Sequence, residues 1–444
     1  MKKNIQLYLK SLLLVGLIQA CLPITNPTQT SQEPRSQKVF TTANYVYERN
    51  IHTVLLYPNT AGDRQQDMLK PAVNQFNQRT PLLLEFDELG NSYQDYHVRI
   101  FHCNFDWQRS LLNNIEYLND FNDFLIRDYQ LSFNTKIPYV HYQFELPPVK
   151  LPGNYVLAVH RGSDENDLVL TRRFIIFDNK VAIEPDLDIS SNPSFRDRNQ
   201  QINFVIGYNN YEILNPQVDI KVMIRQNYRW GNAIANLQPR LIKEFQKILE
   251  YTFFNMENNF PGLNEFRRFD HRSIRFLGFN VANLTVTDSL VVATLQTDQP
   301  WVGRPYVRRS DFNGQFVVEH YETGRGMLES DYVATQFSLK TGETVPGEVF
   351  VVGGFNDWQL NPENLMIFDE LTGVYFTEIL LKQGIYDYFY AFKPSPQSPI
   401  DIPYFEGSYQ ETENAYEIIV YHRPLGGRAD LIVGYKAFNS TQAR

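Results

Sequence analysis

The chain has 444 residues, a formal net charge of −9, 27 Tyr and 32 Phe. An acidic chain repels nucleic-acid phosphates and offers no polybasic patch to anionic lipid, so both partner classes are set aside. At about 100–200 residues per domain the length predicts two to four domains, and the aromatic, Val and Ile content favours strands.

Lys2 and Lys3 open the chain, and an apolar run from Leu12 leads to Ile18-Gln19-Ala20-Cys21. The run falls short of the roughly 20 apolar residues that a spanning helix needs. Residues 1–20 read as a lipoprotein signal peptide ending in a lipobox, with Cys21 as the lipid anchor of the mature chain. Ordinary cleavage nearby, giving a soluble periplasmic protein, is the alternative. Residues 21–44 read as a flexible polar tether rich in proline. Its first acidic residue is Glu33, which favours the periplasmic face of the outer membrane. Loss of residues 1–20 removes three lysines and leaves a charge of about −12. Cys103 is then the second and last cysteine, and a lone thiol in an oxidising compartment is expected to be buried and unpaired.

Strand signals dominate the rest. Tyr139 to Phe144 and Asp219 to Arg225 alternate with period two, the pattern of half-buried strands. Similar runs occur at 82–86, 98–103, 155–159, 174–177, 202–208, 291–295, 332–339, 349–353, 375–380, 386–392, 418–421 and 431–435. Turn residues such as Pro152-Gly153, Asn209-Asn210 and Thr372-Gly373 separate many of them. One window, Pro239 to Leu249, carries Leu241, Ile242, Phe245, Ile248 and Leu249 at helical spacing and reads as helical, with a short connector as the alternative. The predicted fold is all-β, with tandem immunoglobulin-like (E-set-like) sandwiches and minor helical insertions. Its domains are predicted at 45–180, 181–340 and 341–444. Two segments, Leu151 to Leu157 and Leu381 to Tyr388, both place a Gly two residues before a Tyr at the opening of a strand, which hints at a repeated sandwich.

No catalytic constellation emerges. Gly-x-Ser-x-Gly, P-loop, His-Glu-x-x-His and Cys-x-x-Cys motifs are all absent from the sequence. The histidines are scattered, without metal-ligand spacing, so no metal, cofactor or catalytic residue is predicted. The pairs Asp87/Glu88, Asp186/Asp188 and Glu411/Glu413 read as solvated loop carboxylates rather than an acid–base couple.

Two segments carry binding hypotheses. Gly353-Gly354-Phe355-Asn356-Asp357-Trp358, with Tyr388 further on, resembles the Gly-x-Phe-Asn-x-Trp pattern of sandwich modules attached to glycogen- and starch-acting enzymes. Phe355, Trp358 and Tyr388 would then stack on sugar rings, giving a glycan-binding periplasmic lipoprotein. The bland reading is that these aromatics pack inside the sandwich and that Asn356-Asp357 makes a turn. The second hypothesis rests on Arg225, Tyr228, Arg229 and Trp230, followed by Phe266, Arg267, Arg268 and Arg272. Arg, Tyr and Trp are enriched at interface hot spots, so these are candidate partner-binding residues. Arg stems covering a sandwich edge are the alternative.

The order of several segments carries a wider resemblance. Leu82-Leu83-Leu84-Glu85-Phe86-Asp87-Glu88-Leu89 leads to Tyr96-His97-Val98-Arg99-Ile100-Phe101-His102-Cys103-Asn104-Phe105-Asp106-Trp107. Phe124 to Tyr129, Tyr139 to Tyr142, Pro152 to Tyr155, Arg173-Phe174, Gly207 to Tyr211, Arg229-Trp230 and Asn264 to Arg267 follow. Over about residues 45–440 the chain resembles the plug protein of the Bacteroidetes type IX secretion system. That resemblance implies a non-catalytic stopper. It would bind the periplasmic end of the giant outer-membrane β-barrel translocon and close it while no substrate is loaded. The lateral opening of the barrel would belong to a different partner. Lipidation is not a fixed trait of that family, so an anchor at Cys21 would be particular to this chain.

Overall fold

The computed structural model describes residues 38–441; Cys21 and the predicted signal peptide lie outside the described residues, as does most of the predicted tether. Strands dominate, and the longest helix among the described residues, Arg64–Met68, has 5 residues. No described helix is long and apolar enough to cross a membrane.

The first sandwich pairs a six-stranded with a four-stranded sheet. The six-stranded sheet runs Tyr45–Val46, Leu168–Phe177, Gly153–Arg161, Tyr96–Cys103, Phe124–Leu125, with Val73–Gln75 lying parallel to Leu168–Phe177. The four-stranded sheet runs Ile51–Pro58, Leu82–Leu89, Tyr139–Glu145, Asp128–Leu131. Alternation decides what each strand buries. Tyr96, Val98 and Ile100 enter the core, while His97, Arg99 and Phe101 lie half-buried on the other face.

The second sandwich is discontinuous. Its five-stranded sheet holds Ala182–Ile189, Asn199–Gly207, Ile248–Tyr251 and Leu241–Lys243, with Asn259–Pro261 also on Asn199–Gly207. Its facing sheet runs Ile234–Ala235, Ile220–Gln226, Ala415–His422, Leu431–Asn439. Between Pro261 and Ala415 the chain builds the third sandwich. One sheet there is organised on the long strand Gly384–Lys393, which pairs with Arg267–Asp270, Phe316–Val318 and Glu348–Val352. The other runs Val281–Val286, Val291–Leu295, Tyr332–Lys340, Val374–Lys382, Ile367–Asp369.

These pairings correct several expectations. Residue 340 ends a strand in the middle of the third sandwich, so it bounds no domain. Residues 341–444 are not a unit either, because Ile220–Gln226 needs Ala415–His422 as its ladder partner. The chain passes from the first to the second sandwich between Phe177 and Ala182. The window expected to be helical is a hairpin: Leu241–Lys243 pairs with Ile248–Leu249-Glu250, and Lys247 turns the chain at φ 53°. Ile242 and Leu249 pack on the same core while Phe245 stands in solvent at the tip, so helical spacing also satisfies a tight hairpin. The two Gly-x-Tyr segments adopt one local structure. Tyr155 donates to the Leu151 carbonyl at 2.7 Å and Tyr386 to the Lys382 carbonyl at 2.5 Å. A Cβ on Gly153 would sit 2.3 Å from the His102 ring, and one on Gly384 would sit 2.2 Å from the Val317 carbonyl, so close approach requires glycine at both.

Buried polar and apolar contacts join the sandwiches. Along Leu82–Leu89, Leu84 and Phe86 face the first core, while Leu83 on the opposite face joins the core of the third sandwich together with Leu55, Tyr57 and Met68. Asp87 shares that outer face. Rather than a solvated loop residue, it is a fully buried strand residue, because the third sandwich covers the face that alternation assigns to solvent. Lys382 donates to Asp87 at 2.6 Å and to the Met327 carbonyl at 2.7 Å, and lies 4.0 Å over the Tyr139 ring. Tyr332 donates to Asp87 at 2.6 Å, and the His141 Nδ1 is 2.7 Å from it. Burial pushes the Asp87 carboxyl up, but Lys382 and His141 pull it further down, so it stays below the ordinary range. The first and second sandwiches share a smaller cluster of Phe105, Ile175, Met223, Ile419 and Tyr421, and Tyr421 donates to Asn154 at 3.0 Å.

Removing one partner of a buried ion pair costs about 3–5 kcal/mol, since the other charge stays buried. Lys382→Met is therefore expected to lower the urea midpoint by that equivalent, and adding Asp87→Asn should recover part of the loss. Equal stability of wild type and Lys382→Met would show that the pair does not hold the junction.

Candidate functional site

Both segments singled out in the sequence reach one cleft of about 700 Å³ where the three sandwiches meet. Arg225 ends a strand, and Asn227 and Tyr228 then take left-handed φ values of 52° and 60°. The turn is pinned by Asn227, whose side chain accepts from the Ala415 backbone at 2.9 Å and donates to Asn414 at 2.8 Å. It delivers Arg229 and Trp230 to the cleft. The opposing loop is built by Asn356, whose side chain accepts from the Gly353 backbone at 3.1 Å and donates to the Val351 carbonyl at 2.9 Å. Asp357 and Trp358 follow, also left-handed, at 52° and 61°. The doublet Arg172-Arg173, on a strand of the first sandwich, supplies the third wall.

The electrostatics are lopsided. Six cationic residues line the cleft against one carboxylate, Asp357. Arg225 is committed to Glu417 through its Nε and, at 2.8 Å, its Nη2, and it stacks 3.9 Å from the Trp230 ring. Arg172 pairs with Asp357 at 3.1 Å. Arg173 donates to the Thr42 carbonyl at 2.6 Å and stacks 4.1 Å from Trp107; burial pushes it down to about 10. Arg229 differs from all of these. Its guanidinium carbon lies 4.2 Å over the Trp358 ring, it makes no hydrogen bond or ion pair among the described residues, and burial alone pushes it down to about 10. Stranding a buried donor costs about 1–3 kcal/mol, more for a charged group. Stacking on an indole returns about 0.5–2 kcal/mol. Arg172 and Arg173 are cleft residues that the sequence did not mark as a site, because alternation on a strand sends neighbouring side chains to opposite faces and gives no reason to expect both in one cleft.

The remaining predicted residues are held within the chain. Phe266 is buried, stacked at 3.9 Å on Phe389 and edge-on to Trp358 at 5.6 Å, so it backs the cleft wall. Arg267 is 2% exposed and bonds Glu406 at 2.9 Å, Asp298 at 2.8 Å and the Gln299 carbonyl at 2.9 Å. Arg268 donates to Asp387 at 2.7 Å, and Arg272 binds Asp270 at 2.7 Å and Glu319 at 2.6 Å. Arg267, Arg268 and Arg272 thus have carboxylate partners inside the third sandwich, the edge-covering role weighed above. Tyr228 and Trp230 are half-buried. The three aromatics of the alternative glycan reading do not form one exposed platform: Tyr388 is in the core with its hydroxyl 2.6 Å from Asp298, Phe355 packs edge-on to Tyr386, and Trp358 lies under Arg229. Cys103 is buried and unpaired, its thiol pushed by burial up to about 12.

Beside Arg268 sits a group of carboxyls, the buried Glu265 and Asp387 and the half-buried Asp311. Burial, with Asp311 adding repulsion, raises Glu265 and Asp387 to about 7 each. Among the described residues no group of three or more His, Cys, Asp or Glu is arranged to hold a metal ion.

Residues 51–178 match the family model described as the first domain of the type 9 secretion system plug protein. A crystal structure of a hypothetical protein from Parabacteroides merdae ATCC 43184 is similar, with 29% identity and a TM-score of 0.83 over 90% of this chain and 99% of that one. Native E. coli alpha-2-macroglobulin aligns at 8% identity and a TM-score of 0.17 over 90% of this chain and 23% of that one, too weak to bear on the fold. No curated protein matches the chain.

A carboxyl whose folded pKa is raised contributes stability below its ordinary value and loses it as pH rises through the raised one. With Glu265 and Asp387 near 7, wild-type stability is expected to fall between about pH 5 and pH 8. Glu265→Gln should flatten that slope in denaturation midpoints measured across the range. A slope unchanged in the variant would remove Glu265 as its source.

Proposed function

We propose that the chain, whose residues 51–178 match the family model for the first domain of the type 9 secretion system plug protein, acts in type IX secretion as a non-catalytic plug. In this reading it binds the periplasmic end of the giant outer-membrane β-barrel and closes it between substrates. The match over residues 51–178 is the observation that carries the reading. Physical considerations support it. A wide, water-filled barrel would leak, and a stopper must resist deformation. Three sandwiches sharing buried apolar clusters and a buried ion pair meet that requirement better than a mobile loop does. The family is a structural component of the secretion machinery, in keeping with the absence of catalytic motifs from the sequence.

The anchor belongs to the same proposal. Acyl chains on Cys21 would hold the plug on the periplasmic face of the outer membrane and raise its concentration at the barrel mouth, since diffusion is confined to one leaflet. In this reading the Arg225–Trp230 segment meets the barrel through Tyr228, Arg229 and Trp230, because Arg225 is closed off by Glu417.

Protein tagged at its C-terminus and recovered from detergent-solubilised outer membranes of its own bacterium is expected to bring down one very large β-barrel protein. Intact, membrane-bound bait without that barrel would refute the plug reading. Cys21→Ser should move the folded protein from the membrane to the soluble fraction. Retention of the variant at the membrane would refute the lipid anchor while leaving the plug reading standing.

A further inference from the structure

Arg229 stands out among the buried cations of the cleft. It is 9% exposed and lines the cleft, its Nε is buried without a hydrogen-bond partner, and no acceptor for its guanidinium is found among the described residues. The neighbouring charges cannot serve it. Asp357 is held by Arg172, and Glu417 is held by Arg225 and Tyr435. The guanidinium carbon lies 4.2 Å over the Trp358 ring and the buried Nε has no partner, so the two terminal nitrogens are the donors left for a ligand, a pair that can grip a carboxylate with two parallel bonds. The surrounding field favours an anion, since the lining is strongly cationic in a chain whose net charge is −9. The walls are not those of a simple ion site. Leu56, Met68, Trp230 and Ile400 give apolar surface, and about 700 Å³ is within the range of organic-ligand pockets, ~300–1,000 Å³.

We propose that the cleft binds an acidic peptide segment, with one carboxylate on Arg229 and the adjoining apolar side chain against Trp230 and the Leu56–Met68 wall. The geometry explains why a buried arginine is left without an internal partner: the ligand supplies it. The turn at Asn227 and Tyr228 is then a positioning device, since it fixes the guanidinium on a rigid sheet end rather than on a mobile loop. A free carboxylic acid offers the same head group, and only the apolar wall distinguishes the two sources.

The test uses the folded full-length chain. Trp230 and Trp358 are two of its four tryptophans, so indole fluorescence reports the cleft. The probes are a capped tetrapeptide of alternating aspartate and phenylalanine, the same peptide with asparagine for aspartate, citrate, and inorganic phosphate. The acidic peptide is expected to change the fluorescence saturably and raise the melting temperature, with the asparagine peptide at least tenfold weaker. Arg229→Met should weaken the acidic peptide at least tenfold, while the free variant melts no lower than wild type, because a stranded charge is gone. Arg229→Lys, which keeps the charge but not the fork, is expected to fall between them. Equal binding of the two peptides, equal binding to wild type and Arg229→Met, or binding of citrate or phosphate alone would each overturn the proposal. So would an Arg229→Met variant that melts well below wild type without any peptide effect on the parent.

Discussion

The ammonium of Lys382, buried between the first and third sandwiches, is the contact on which the architecture depends. It is bound to Asp87, to a backbone carbonyl and to an aromatic face, and water reaches none of them. A charge in such a place is tolerated only when every partner is in position. The pairing therefore fixes how Leu82–Leu89 and Val374–Lys382 face each other. Around it, Tyr332, His141 and Glu85 extend a polar network, with Leu55, Tyr57 and Leu83 packing beside it. Two sandwiches that could otherwise swing on a linker are joined through their interiors.

The second sandwich is tied in by a different device, its own interruption. Because its chain leaves at Pro261 and returns at Ala415, the third sandwich is tethered at both ends to one sheet pair. The cleft is the consequence of three convex bodies meeting: their cores cannot fill the space between them. That space is lined by Arg172 and Arg173 from within one strand, by Arg225 near the end of another and by Arg229 on the turn that follows it. A rigid body with a cationic recess at its triple junction suits a protein that seats against another, and the recess is the place where a partner's charged segment would register the fit.

Much of this was legible in the sequence, for physical reasons that can be named. Period-two runs such as Tyr139 to Phe144 revealed strands, because alternation follows directly from burial on one side. The lone Cys103 was expected to be buried and is. The Arg225–Trp230 and Gly353–Trp358 segments were each marked by composition, yet nothing in a single sequence brings them to one cleft; that needs Ile220–Gln226 and Gly384–Lys393 to be placed by long-range pairing. Asp87 was misread for a related reason. Periodicity tells which face a residue occupies, not what covers that face, and here another sandwich covers it. The discontinuous second sandwich escaped notice because strand pairing between Ile220–Gln226 and Ala415–His422 leaves no local trace. The Pro239–Leu249 window was misassigned because a tight hairpin repeats apolar residues at nearly helical intervals.

The central claim is that this rigid body occludes a wide pore, and ionic conductance measures it most directly. The purified giant barrel, inserted in a planar bilayer, would be recorded before and after the protein is added to the periplasmic side. The account predicts a large stepwise loss of conductance that reverses when the protein is washed away. Binding of the protein to the barrel with the conductance unchanged would contradict it.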